Sequence, residues 1–294
     1  MSTIRTVALA VLSLAAAGAA ARADVKPLRL ESPPASVSID IGITKIKIDY
    51  HRPSVRGRQV WGGLVPYGQV WRTGANNATT IAFDTPVKIA GRELPAGRYA
   101  FFAIPEPLEW TLIISKQADI WGAYEYKQSE DVMRVATRPE KVPTPEALVY
   151  QLTPVGEQAA RMTLEWAGLR VGLDLEVDVH GIYKSRLLEA VAAASKSNPD
   201  SWSVLQQAAQ YYFKRDMELG RALEWTNESI RLKESFWNYE LKARILDKQG
   251  KRTDAILAMK KAIELSKAKP LGQGGPPKEY TEGLEKDLAA WQRL

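Results

Sequence analysis

The residues best suited to chemistry lie in one stretch, positions 50–80, which reads YHRPSVRGRQVWGGLVPYGQVWRTGANNATT. Four large aromatics, Tyr50, Trp61, Tyr67 and Trp71, are interleaved there with His51, Arg52, Arg56, Arg58 and Arg72. No acidic residue falls inside the stretch, so the surface built from it is expected to be electropositive. Guanidinium forks bind carboxylates and phosphates in a bidentate manner. Aromatic faces stack on sugar rings, and the amides of Asn76 and Asn77 add hydrogen-bonding capacity. The candidate ligand-binding set is therefore Tyr50, His51, Arg52, Arg58, Trp61, Trp71, Arg72 and Asn76, with a small anionic or carbohydrate molecule as the ligand. A second reading stands beside it, in which Trp61 and Trp71 fill the base of the fold and the arginines are solvated or paired with distant carboxylates.

Catalytic patterns are sparse. The chain has two histidines, His51 and His180, and no cysteine. A three-histidine metal site, a thiol nucleophile, a thiolate cluster and disulfides are thereby excluded. No nucleophile elbow, HExxH helix or phosphate-binding glycine–lysine loop occurs. Glycoside hydrolysis needs two carboxylates flanking one bond; the stretch has none, and Glu106, Glu109, Asp119 and Glu125 would have to approach from elsewhere. The expectation is a binding module with no catalytic residue, metal or cofactor. An envelope or extracellular enzyme of hydrolase type and a structural or assembly factor are the alternatives.

Elements must hold this stretch in place. Five glycines, Gly57, Gly62, Gly63, Gly68 and Gly74, make it a long structured loop; such loops are usually functional when not disordered, and four large aromatics argue for order. Around it, residues 37–179 carry strand periodicity. Lys45, Lys47 and Asp49 alternate with Ile46, Ile48 and Tyr50, putting the isoleucines on one face. Further strands are expected at 79–83, 87–89, 97–104, 110–114, 132–137, 147–153, 161–166 and 171–179. Many short strands without intervening helices argue a β-sandwich or jelly roll, with a closed barrel as the runner-up.

Past His180 and Gly181 the period becomes helical. A helix is expected over 183–195, and from Trp202 a helix–turn–helix unit recurs at the spacing of a tetratricopeptide-like repeat. Ala222-Leu223 and Ser229-Ile230 in one unit correspond to Ala255-Ile256 and Ala262-Ile263 in the next, with Gly250 at a turn and Ala243 on the close-packed face. A final helix over 278–293 caps the array after a Gly/Pro-rich loop at 270–277. The fold class is thus α+β and multi-domain: an all-β sandwich or jelly roll, then an α-helical tetratricopeptide-like array.

The 294 residues suit roughly two domains. Arg5, the apolar run 7–14 and Ala21-Arg22-Ala23 have the form of a cleavable export signal, cut after Ala23. The expected division is a signal peptide at 1–23, a β-domain at 24–181 and a helical domain at 182–294. The mature protein is expected in the periplasm or outside the cell, with no integral membrane segment after cleavage. The net charge of +6 is spread along the chain rather than gathered in a run, so nucleic acid is not an expected partner. A protein partner is expected at the helical repeats.

Tyr50-x-Arg52-Pro53, Gly57-Arg58, Trp61-Gly62, Leu64-Val65-Pro66-Tyr67-Gly68, Trp71-Arg72-Thr73-Gly74-Ala75-Asn76 and Ala78-Thr79 together resemble the domain-of-unknown-function 2911 family. Leu94-Pro95-Ala96-Gly97-x-Tyr99 fits it too, and the similarity spans about residues 32–179. The resemblance implies an export signal and, in some members, a helical tail. It brings no substrate, cofactor or residue role.

Overall fold

The computed structural model describes residues 31–194, 198–268, 271 and 274–293. The expected leader at 1–23 and part of the loop at 270–277 lie outside the described residues.

Two antiparallel sheets form the N-terminal part. The first runs in the order β1 (Pro34–Ile41), β2 (Thr44–His51), β3 (Thr79–Phe83), β6 (Gly97–Ile104), β7 (Trp110–Ser115) and β8 (Asp131–Thr137). The second runs β10 (Val149–Pro154), β11 (Ala159–Trp166), β12 (Leu169–Glu176), β4 (Val87–Ile89) and β5 (Arg92–Leu94), with the short β9 (Glu140–Lys141) also paired to β12. The alternation read from β2 has a direct cause: Ile46 and Ile48 are buried between the sheets while Lys45 and Lys47 face water. Ile81, Phe101, Leu112 and Ile114 join them from the first sheet, and Met162, Leu164, Leu173 and Leu175 meet them from the second. A smaller cluster covers the outer face of the first sheet, where Phe102 and Ile113 pack against Val70, Ile120, Ala123 and Tyr126.

Six helices follow among the described residues: α1 (Val179–Ala193), α2 (Trp202–Lys214), α3 (Leu219–Leu232), α4 (Phe236–Lys248), α5 (Arg252–Lys267) and α6 (Lys278–Trp291). Helix α1 begins four residues before its expected start, because Asp178 caps it by accepting from the Gly181 N–H at 2.9 Å. Its first residues belong to both parts: Val179 and Ile182 pack against the β-core, and the Tyr211 hydroxyl donates to the His180 carbonyl. Ala222, Ala243, Ala255 and Ala262 are fully buried, so small side chains sit where the helices approach one another. Gly250 adopts φ 77° at the turn between α4 and α5, a conformation glycine takes without steric cost.

Candidate functional site

Between β2 and β3 the chain makes no regular strand for 27 residues, 52–78, yet it is held tightly. Arg52 donates from its backbone N–H to Pro33 and from Nε to Leu148, both carbonyl acceptors. Arg58 turns back on its own loop, Nε donating to Val55 at 3.0 Å and Nη2 to Ser54 at 2.6 Å. Arg56 faces the Glu31 carboxylate at 3.6 Å. Each of these guanidinium groups has an acceptor within the protein.

The tryptophans form a packed group. Trp71 is 7% exposed and lies nearly parallel to Trp166 at 5.9 Å between ring centroids. Trp61 meets Trp71, Trp110 and Trp166 edge-on at 5.5, 4.7 and 5.8 Å. The Trp61 indole donates to Ala167 and the Trp71 indole to Gly74, which locks both rings. Tyr50 is buried and touches Tyr150 edge-on at 4.8 Å. These aromatics therefore support the loop from beneath.

Thr73 is the strained link. It sits at φ 54°, a left-handed conformation that is a genuine outlier for a β-branched residue. Three hydrogen bonds hold it there: its hydroxyl donates to Phe101, and its carbonyl accepts from the Tyr150 and Thr79 hydroxyls. Burial pushes the Tyr150 phenol well above its ordinary range, so that group remains a donor. Gly74 follows because no side chain fits: a Cβ there would lie 2.9 Å from Thr79 Oγ1 and 3.1 Å from the His51 carbonyl oxygen. Such strain persists only where its surroundings over-determine it, and it clusters at functional sites.

Arg72 immediately precedes the strained Thr73. The Arg72 side chain is partly buried and makes no ion pair or hydrogen bond among the described residues. Its Nε is shut from solvent without an acceptor. Burial lowers its pKa from the usual arginine value, with the Tyr124 phenol acting in the opposite direction. Arg72 lines a cavity of about 260 Å³ together with Arg56, Arg58, Trp71, Asn76 and Trp166. The indole N–H of Trp166 is a second buried donor without an acceptor.

Of the sequence-derived set, Arg58, Trp71, Arg72 and Asn76 thus share one cavity. Tyr50 and His51 border a separate one of about 530 Å³, with Asp49, Asn77 and Arg98. His51 still feels the first: burial, and then the Arg72 charge, hold its imidazole below the ordinary value of 6.5. Trp61 and Arg52 line neither cavity.

Residues 32–175 match the model of a family described as a protein of unknown function, DUF2911. The matched span covers the β-domain, which is similar to this family. Comparisons with curated proteins and with solved structures find no match. The match contains the whole of the loop, the tryptophan group and Arg72, so the site lies within the matched region and not in the helical part.

One feature of this β-domain escaped sequence reasoning. Between β7 and β8, Trp121 and Tyr124 lie in the open, 60% and 79% exposed, with rings nearly parallel and centroids 5.6 Å apart. The segment is bonded to the Arg72 loop, Gly122 donating to the Asn76 carbonyl and Ala78 to the Ile120 carbonyl. Its sequence signal was available: Trp121-Gly122-Ala123-Tyr124 falls in a gap without strand alternation.

Proposed function

We propose that the β-domain binds a small anionic ligand at the Arg72 cavity and that the protein acts by binding rather than by catalysis. The observation that carries this reading is the unanswered charge of Arg72. An uncompensated, partly buried guanidinium is costly unless an anion meets it. Arg56 has Glu31, and the Arg58 donors are occupied by Ser54 and Val55. Arg72 has no such partner among the described residues, and Trp166, whose indole N–H also lacks an acceptor, lines the same cavity. A charge-assisted hydrogen bond from this group is the interaction the cavity lacks.

The leader-like residues at 1–23 support an exported protein, cut after Ala23, working in the periplasm or outside the cell. The helical part, read as tetratricopeptide-like, is proposed to dock a protein partner. No helix among the described residues is long and apolar enough to cross a membrane.

The test is a thermal-shift series with acetate, phosphate and glucuronate at constant ionic strength, on the wild type and on Arg72→Met. Arg72→Met keeps the apolar stem and removes the charge. A ligand that binds only the folded state at a hundredfold excess over its Kd adds about 2.7 kcal/mol of stability. The wild type should gain several degrees with at least one anion, and the variant should not. Equal responses in the two proteins refute the site.

A further inference from the structure

Trp121 and Tyr124 are large aromatic side chains left in solvent on a segment that is otherwise well anchored. Ile120, Ala123 and Tyr126 of the same segment pack inward against Phe102 and Ile113. Gln117 clasps it from within, donating to the Glu125 carbonyl at 2.8 Å and accepting from the Lys127 N–H at 2.6 Å. Gly122 makes the turn possible: it sits at φ 71°, and a Cβ there would lie 2.8 Å from the Tyr124 ring. The two outward rings are therefore placed by a packed support. Rigid, exposed aromatic area of this kind marks a recognition surface.

The platform adjoins the Arg72 cavity. Its backbone is bonded to Asn76 and Ala78, and Asn76 lines the cavity beside Arg72. Ser32, Ser54 and Asn76 line the same cavity as Arg72 with hydroxyl and amide groups. Resting on the anion-site reading above, we infer that the ligand is an acidic sugar. Its anionic group meets Arg72, its hydroxyls meet the polar lining, and a sugar ring lies on the face of Trp121. A polyanion is disfavoured, because the segment between β7 and β8 carries Lys116 and Lys127 against Asp119, Glu125 and Glu130 and so has no excess of cations. One charge on an otherwise neutral, hydroxylated ring fits this balance.

Calorimetric titration of the full mature chain separates this inference from the anion-site reading. The probes are acetate, benzoate, cellobiose, a disaccharide containing one glucuronate, and glucose 6-phosphate. The proteins are the wild type, Arg72→Met, Trp121→Ala and Trp121→Phe. Trp121 is mostly exposed, so its variants should melt with the wild type. The expected result is that Trp121→Ala weakens the acidic sugar about tenfold and leaves acetate unchanged, while Trp121→Phe restores part of the loss. Arg72→Met should remove acetate and acidic sugar together, and cellobiose should bind more weakly than either acid-bearing sugar. Whichever of the glucuronate and the phosphate shows the Trp121 dependence identifies the acidic group. If acetate depends on Arg72 but no sugar depends on Trp121, or if benzoate alone depends on Trp121, the sugar inference falls and the anion site stands. If no anion depends on Arg72, both fall.

Discussion

Arg244 of the helical array and Arg72 of the β2–β3 loop are treated in opposite ways. In the array, Arg244 is bonded to Glu240 at 2.8 Å and to Asp287 at 3.0 Å, tying α4 to itself and to α6. Arg252 meets Asp247 at 2.8 Å, and Lys248 meets Asp216. In the loop, Arg58 is spent on backbone carbonyls and Arg72, among the described residues, on nothing. The contrast teaches that the number of arginines in a segment is a poor guide to a binding site. What marks the site is a charge held in a rigid setting with its partner left out.

The rigid setting can be broken first. Trp71→Ala should remove about 3–5 kcal/mol, since it opens a hole among three other tryptophans; a urea unfolding curve measures it. Gly74→Ala should cost about 1–3 kcal/mol, because the new methyl group meets Thr79 and the His51 backbone at under ordinary contact distance. The charge contrast is sharpened next. Arg244→Ala should lose about 1–2 kcal/mol with its two carboxylate bonds, whereas Arg72→Met should stay within about 0.5 kcal/mol of the wild type or exceed it. Equal losses from the two substitutions would erase the distinction.

The smallest effect is a pH dependence. The folded state holds the His51 pKa below 6.5, so in the interval between the two values the unfolded chain binds more protons. Stability from this group is present above about pH 6.5, declines as pH falls through the interval, and levels off below the folded pKa. Subtracting the unfolding midpoints of His51→Gln from those of the wild type from about pH 4.5 to about pH 8.5, roughly two units either side of the ordinary histidine value, isolates the slope. No difference between the two profiles contradicts the burial of His51 beside Arg72.

Much of the fold was legible because its causes are local. Alternation in β2 reflects one dry face and one wet face, and the change of period after Gly181 marks the passage to helices. Strands β5 and β9 escaped: β9 has two residues, and β5 has Leu94 as its one apolar residue, whereas β4 of the same length alternates Val87, Lys88 and Ile89. The start of α1 escaped because Asp178 is a cap embedded in a strand-like run. At the site, the right loop was visible in the crowding of Arg, Trp and Gly, but the roles within it were not. Whether Arg52 is free or bound depends on the Leu148 carbonyl, 96 residues away. Whether Trp61 stacks on a ligand or on the core depends on Trp110 and Trp166. Trp121 and Tyr124 were passed over because exposure is a property of the folded surface, and nothing in a short stretch of sequence states it.

The central claim is that the Arg72 guanidinium awaits an anion while Arg244 does not. Nitrogen-15 NMR of the arginine Nε–Hε groups tests it, with the two signals assigned by their loss in Arg72→Met and Arg244→Ala. On adding glucuronate at constant ionic strength, the Arg72 signal should shift progressively to saturation and the Arg244 signal should stay in place. An Arg72 signal that does not move, or that moves in step with Arg244, would contradict the account.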